Sequence, residues 1–217
     1  MNWKENLREL IIVVLGILIA FALNSWAQSR KTSKMEQQYL TSLHDDLVAD
    51  SLELYRRLGD LNRRTGLARR AIGFVFSPNQ PASDSAFTLI FRDLHSQERF
   101  LPNASTYEAL IYSGDLQLIS DFELRKNIAG HYHRYSIMED ENNRADHFIR
   151  SSVVPYMMNN TEMRKLGRSD QVLDFSDPLL QNIIFASFGI LDLQIDKTRQ
   201  SLENCRYIIR KIVQAMK

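Results

Sequence analysis

MEQQYLTSLHDDLVADSLELYRRLGDLNRRTGLARRAIGFV, Met35 to Val75, decides the fold. It holds no proline, and Leu40, Leu47, Leu54, Leu61, Ala68 and Val75 recur every seven residues. Leu43, Leu58 and Ile72 fill several of the intervening positions. A seven-residue apolar period is the seam of a helix that packs along other helices, in a bundle or a coiled coil. The spacing predicts one long helix across the whole stretch.

Its second half, Leu54 to Phe74, carries another pattern: Arg56, Arg63 and Arg70 alternate with Gly59, Gly66 and Gly73. At steps of three and four these six residues form one stripe on a helix. Arg56 lies about 200° from the seam at Leu54, so the stripe faces away from the core. Each glycine in a helix interior costs about 1 kcal/mol relative to alanine, and a gap for close approach is the natural compensation. Two occupants fit such a gap: an acidic helix of the same or another subunit, or an anion held between Arg56, Arg63 and Arg70. Glu53 and Asp60 stand three or four positions from Arg56, Arg57, Arg63 and Arg64, and the last helix presents Asp192, Asp196 and Glu203. Internal counterions of that kind favour a salt-bridged, architectural face over a dedicated anion site. Lipid headgroups are out of reach, because Trp26 to Arg56 is roughly 45 Å of helix.

Upstream, LIIVVLGILIAFAL (Leu10 to Leu23) has no polar side chain over 14 residues. Trp3 and Trp26 bracket it, roughly 34 Å apart at helical rise, which matches a hydrocarbon core of about 30 Å with an indole at each interface. Ser25-Trp26-Ala27 is a poor signal-peptidase site, so the segment reads as an uncleaved span rather than a cleaved leader or a core helix. Lys4 and Arg8 on one side nearly balance Arg30, Lys31 and Lys34 on the other. The usual signal-anchor arrangement then puts the N-terminus inside and the large domain outside. Gly16, Ala20 and Asn24 recur every four residues, a small-residue stripe that lets two spans approach and an amide bond across the contact.

The remainder also reads as helix. SPNQPASDS (Ser77 to Ser85) breaks the chain, and AFTLIFRDL after it fits helix or strand. STYE (Ser105 to Glu108) and SDFE (Ser120 to Glu123) are capping-box signatures, with SGD (Ser113 to Asp115) between them. The second opens a helix through Leu124, Ile128, Tyr135, Met138, Ala145 and Ile149 that should end near Pro155. MMNNTEMRKLGRSDQ reads as a loop with a short helical piece. SDP (Ser176 to Pro178) places proline at a first helical position, and the last helix carries Ile195, Thr198, Leu202, Cys205, Ile209, Ile212 and Met216 as its apolar stripe. The expected fold class is all-α: an N-terminal transmembrane helix continuing into a long-helix bundle, with an anchor and juxtamembrane segment at 1–34 and a soluble bundle domain at 35–217.

Composition narrows the function. Lys and Arg total 27 against 26 Asp and Glu, a net charge of +1 over 217 residues, whereas a nucleic-acid binder normally carries a basic excess. Cys205 is the one cysteine, so no internal disulfide or thiolate zinc site forms, and on the apolar stripe it reads as a buried thiol. His131 and His133 point about 200° apart on a helix and cannot share a metal. His131 falls on the apolar face and reads as a hydrogen-bonded core residue. His95 and Glu98 have ligand-pair spacing with nothing to complete a site. No phosphate loop, GxSxG or HExxH motif occurs, and no cofactor is implied.

WKENLREL, then the span and LNSW, then YLTSLHDDLVAD, and later TYEALIYSGDLQLISDFELRKNIAGHYHRY, together resemble an uncharacterised family of small single-span bacterial proteins, mostly of Bacteroidota. The similarity covers most of the first 150 residues. It implies an inner-membrane helical protein and brings no catalytic residues. The leading expectation is a membrane-anchored, self-associating interaction or sensory module without catalytic activity, partnered by the bilayer, by its own copies or by another membrane protein, and not by nucleic acid. A small homo-oligomeric channel formed by the N-terminal spans is the alternative. An enzyme centred on His131, Tyr132 and Tyr135 ranks last.

Overall fold

A computed structural model describes residues 3–76, 92, 99–160 and 173–216. It is all-helical, with no strand among the described residues. Helix α1 spans Trp3–Phe76, 74 residues without a break, or roughly 110 Å at 1.5 Å per residue. A short helix α2 (Ser105–Ser113) leads through a 3-10 turn (Asp115–Leu118) into α3 (Phe122–Phe148). A π-helical turn (Ile149–Val153) joins α3 to α4 (Val154–Asn160), and α5 (Pro178–Ala215) closes the bundle. The proline-rich stretch 77–85, the stretch 86–94 apart from Arg92, the His95/Glu98 pair and the 161–171 part of the central loop lie outside the described residues.

The helix ends follow local chemistry. Gly114 stops α2 in the left-handed region, φ 75°, a conformation that glycine adopts without steric cost. Asp177 caps α5, its Oδ1 accepting from the Leu179 amide at 2.8 Å, and Pro178 sits in the first turn as expected. Both capping-box expectations need correction. Ser105 is already helical, and the residue before it, Ala104, caps α2 without a side-chain bond. At α3 the cap is Asp121, accepting from the Leu124 amide at 3.0 Å, while the Ser120 amide and hydroxyl donate to Glu36 Oε1 at 2.7 and 2.8 Å. Carboxylate is the stronger acceptor for an orphan amide beside the positive helix end, which explains the one-residue shift. Nor does the helix end near Pro155. A π turn just ahead absorbs the missing N–H and ring of the proline, and helix resumes to Asn160.

Three long helices make the bundle. α5 runs antiparallel to α1, and α3 runs parallel to it, as two apolar clusters make plain. In the lower one, Leu40, Leu43, Leu47 and Leu54 of α1 pack with Leu124 and Ile128 of α3 and with Leu202, Ile208 and Ile212 of α5. In the upper one, Leu61, Ala68 and Ala71 meet Ile149, Val153 and Tyr156, and Leu180, Ile184 and Leu191 from the start of α5. Leu40, Leu43, Leu47 and Leu54 are fully excluded from solvent and Leu61 nearly so, so the seven-residue seam is the core face of α1. Leu58 and Ile72 are only half-buried and flank it.

Below Ser33 the bundle ends and α1 continues alone. Every residue from Leu7 to Lys31 is exposed, including ten branched aliphatics and Phe21 between Leu10 and Leu23. Two helices are long and apolar enough to cross a membrane by length and composition, the one with its apolar window near the N-terminus and α5. The first window has mean hydropathy 2.5 and none of it is buried; that of α5 reaches 1.3 and is 39% buried. The α5 window is core, because its buried face is the one just described.

Candidate functional site

The second position of the α1 seam reads Leu43, Asp50, Arg57, Arg64, Ala71, each seven residues after the last. Three polar side chains therefore enter the bundle where a leucine seam would continue. Arg57 Nη2 donates to Asn142 Oδ1 of α3 at 2.7 Å, and Gln194 Nε2 of α5 donates to the same oxygen at 3.3 Å. Arg64, 3% exposed, reaches Asp60 Oδ2 one turn back at 2.9 Å. With Thr65, Thr198 and Ser201, also buried, these residues form a polar layer between the two apolar clusters. Burial holds the Arg57 guanidinium below its ordinary pKa, with Arg64 adding to the fall and Asp60 and Glu53 opposing it.

Asp50 anchors a second polar group lower down. Its Oδ1 accepts from the Asn103 amide at 2.9 Å and from Asn103 Nδ2 at 2.7 Å. Burial pushes the carboxyl above the usual range, against the pull of those bonds and of Tyr135. Asp50 Oδ2 and the Tyr135 hydroxyl are buried without a well-formed hydrogen bond. Burial raises the Tyr135 phenol too, and Cys205 and Asp50 add to it. Cys205 is fully buried, and its Sγ–H donates to the Leu47 carbonyl at 3.1 Å. Desolvation pushes its thiol up to about 12, so it holds its proton and packs.

His131 belongs to the same core. It is fully buried, and its Nδ1–H donates to Asn204 Oδ1 at 2.9 Å, since an amide oxygen can only accept. Burial lowers its pKa to about 4 despite that bond. Its ring meets Tyr132 and Tyr135 edge-on, with centroids 5.7 and 4.3 Å away. His133 and His147 are exposed on α3. Among the described residues no group of three or more His, Cys, Asp or Glu is placed to hold a metal ion.

Outside the polar core, a hollow of about 270 Å³ opens between the α2 entry and α3. Phe100, Tyr107, Tyr132, Tyr135 and Met138 line it. Tyr107 lies flat on Tyr132, centroids 4.1 Å apart and planes 3° apart, while Phe100 meets Tyr135 edge-on at 5.0 Å. Sequence reading put Tyr135 on an apolar stripe, but the hollow needs residues 100 and 107 brought across from another segment.

The arginine–glycine stripe faces solvent. Arg56 pairs with Glu53 at 3.1 Å and Arg63 with Asp60 at 2.8 Å, both within one helix turn, and Arg70 is exposed. A Cβ added at Gly59, Gly66 or Gly73 would meet nothing within 4 Å. No element among the described residues uses the gap that the glycines leave. Gly66 borders a polar cleft of about 380 Å³ with Arg69, Arg199, Asp192 and Asp196, where α1 passes α5. Gly16, Ala20 and Asn24 lie on the exposed part of α1, and Gly16 is likewise open. The inward-turned arginines, half-buried Arg57 and buried Arg64, each follow an exposed one. Their signal was the heptad itself: counting on from Leu43 lands on both.

No curated protein and no solved structure matches this chain. A family model does, that of a family of unknown function, DUF6090, over residues 9–187. The match takes in the apolar segment, the seam, the α1 and α3 members of the polar layer and the first turns of α5, and it reaches well past residue 150. On that breadth the chain belongs to the DUF6090 family.

Proposed function

We propose that this chain is a single-pass membrane-anchored helical module that works by binding rather than by catalysis. The observation that carries this reading is the apolar run Leu10–Leu23, which stands wholly exposed on a helix that continues without a break into the bundle. In water, that much apolar surface on an isolated helix has no stable disposition; in a bilayer it satisfies its backbone internally and meets lipid. The bundle then stands on the outer face of a bacterial inner membrane, held rigidly because span and seam are one helix. Gly16, Ala20 and Asn24 form the contact through which spans associate, so the working unit is an oligomer.

The test is the mass of the detergent-solubilised chain by light scattering, for the native sequence and for Gly16→Leu/Ala20→Leu. A closed oligomer that dissociates in the double variant is expected. A monomer in both cases would overturn self-association while leaving the anchor, and extraction of the chain from membranes by alkaline carbonate would overturn the anchor. A ring of about five or more spans would favour a pore instead, because a ring can enclose an aqueous path and a dimer cannot.

A further inference from the structure

We infer that the aromatic hollow between the α2 entry and α3 is a binding site for a small organic cation. The inference deepens the binding-module reading and rests on it for its biological purpose. Four aromatic rings wall the hollow, and ring faces carry negative quadrupole that attracts cations. Its volume of about 270 Å³ is room for roughly nine waters at ~30 Å³ each, the scale of a compact metabolite rather than a peptide.

Charge at the mouth selects the sign. Glu108 and Glu139 both line the opening and are exposed, and neither has an ion-pair partner among the described residues. Among the described residues the one lining cation, Arg99, is engaged by Asp146. An anion would meet two carboxylates, whereas a quaternary or alkylated ammonium meets both them and the aromatic lining. An apolar floor with Met138 and Phe100 suits methyl groups that a bare ammonium or metal ion lacks.

The experiment is calorimetric titration of the full-length, detergent-solubilised chain, against micelle blanks, with choline chloride and with its neutral isostere 3,3-dimethylbutan-1-ol. Saturable choline binding, about tenfold tighter than the alcohol, is expected from a partly desolvated cation–aromatic contact. Glu108→Gln/Glu139→Gln, altered only at exposed positions, should erase most of that preference and leave the alcohol unchanged. Absence of saturable choline binding, equal binding of the isostere, or a double variant that binds choline like the native chain would each overturn the inference. The mass measurement above is unaffected by any of these results, so the site and the anchor fail separately.

Discussion

Arg57 and Asn142, 85 residues apart in sequence, meet across the bundle with Nη2 donating to Oδ1 at 2.7 Å. The same oxygen takes the Gln194 amide at 3.3 Å, so one α3 side chain ties α1 and α5 together. An apolar seam tolerates sliding by a heptad, because one leucine layer resembles the next. A polar layer does not, since a slipped guanidinium would be buried without its acceptor.

Asn142→Ala should therefore cost about 2–3 kcal/mol, because the buried Gln194 amide and the half-buried Arg57 guanidinium lose one acceptor. Urea unfolding followed by circular dichroism reads it directly. Arg57→Met should cost less than the asparagine change, since it removes the half-buried charge together with its need for a partner. The reverse ranking would mean that other contacts of Arg57 dominate.

The glycine stripe gives the opposite sign. Gly59→Ala, Gly66→Ala and Gly73→Ala each place a methyl in open space, and each should raise the stability of the isolated chain by about 0.5–1 kcal/mol. If a second copy or another protein docks on this face, the same changes will weaken that association in light scattering while still stabilising the monomer.

His131 makes stability fall with acid. Its folded pKa of about 4 lies below the ordinary imidazole value near 6.5. The unfolded chain binds more protons between those values, so the contribution is complete above about pH 6.5 and is lost as pH drops towards 4. The gap corresponds to about 3 kcal/mol. Asp50 works the other way, because its raised carboxyl costs stability as pH rises above the ordinary carboxylate range. His131→Gln should flatten the loss between about pH 7 and pH 4.5 in urea titrations. An unchanged slope would place the protons elsewhere.

Cys205 should resist thiol reagents in the folded chain. It is fully buried, its proton is held by the Leu47 carbonyl, and its pKa is near 12, so almost no thiolate exists at neutral pH. Ellman's reagent should react only at the rate of unfolding, and a fast native reaction would show that α5 opens locally.

Period and composition were enough to determine that this chain is helical. An apolar residue every seven from Leu40 to Ala68 can only face a core on a helix, and 14 apolar residues from Leu10 to Leu23 leave few places to sit. The buried thiol, the core imidazole and the outward arginine stripe follow from the same angular arithmetic. What tertiary structure alone decided is which polar residues turn inward and with whom. Arg56 and Arg57 are identical in composition and adjacent in sequence, and only the partner at Asn142 shows that the second turns into the bundle. Caps moved by one residue for the same reason: Asp121 and Ser120 both suit a helix start, and the serine was claimed by Glu36 from another helix. The aromatic hollow unites positions 100, 107, 132 and 135, which no single period links. Local sequence encodes direction and periodicity, while a site made by separate segments exists only once packing has chosen their neighbours.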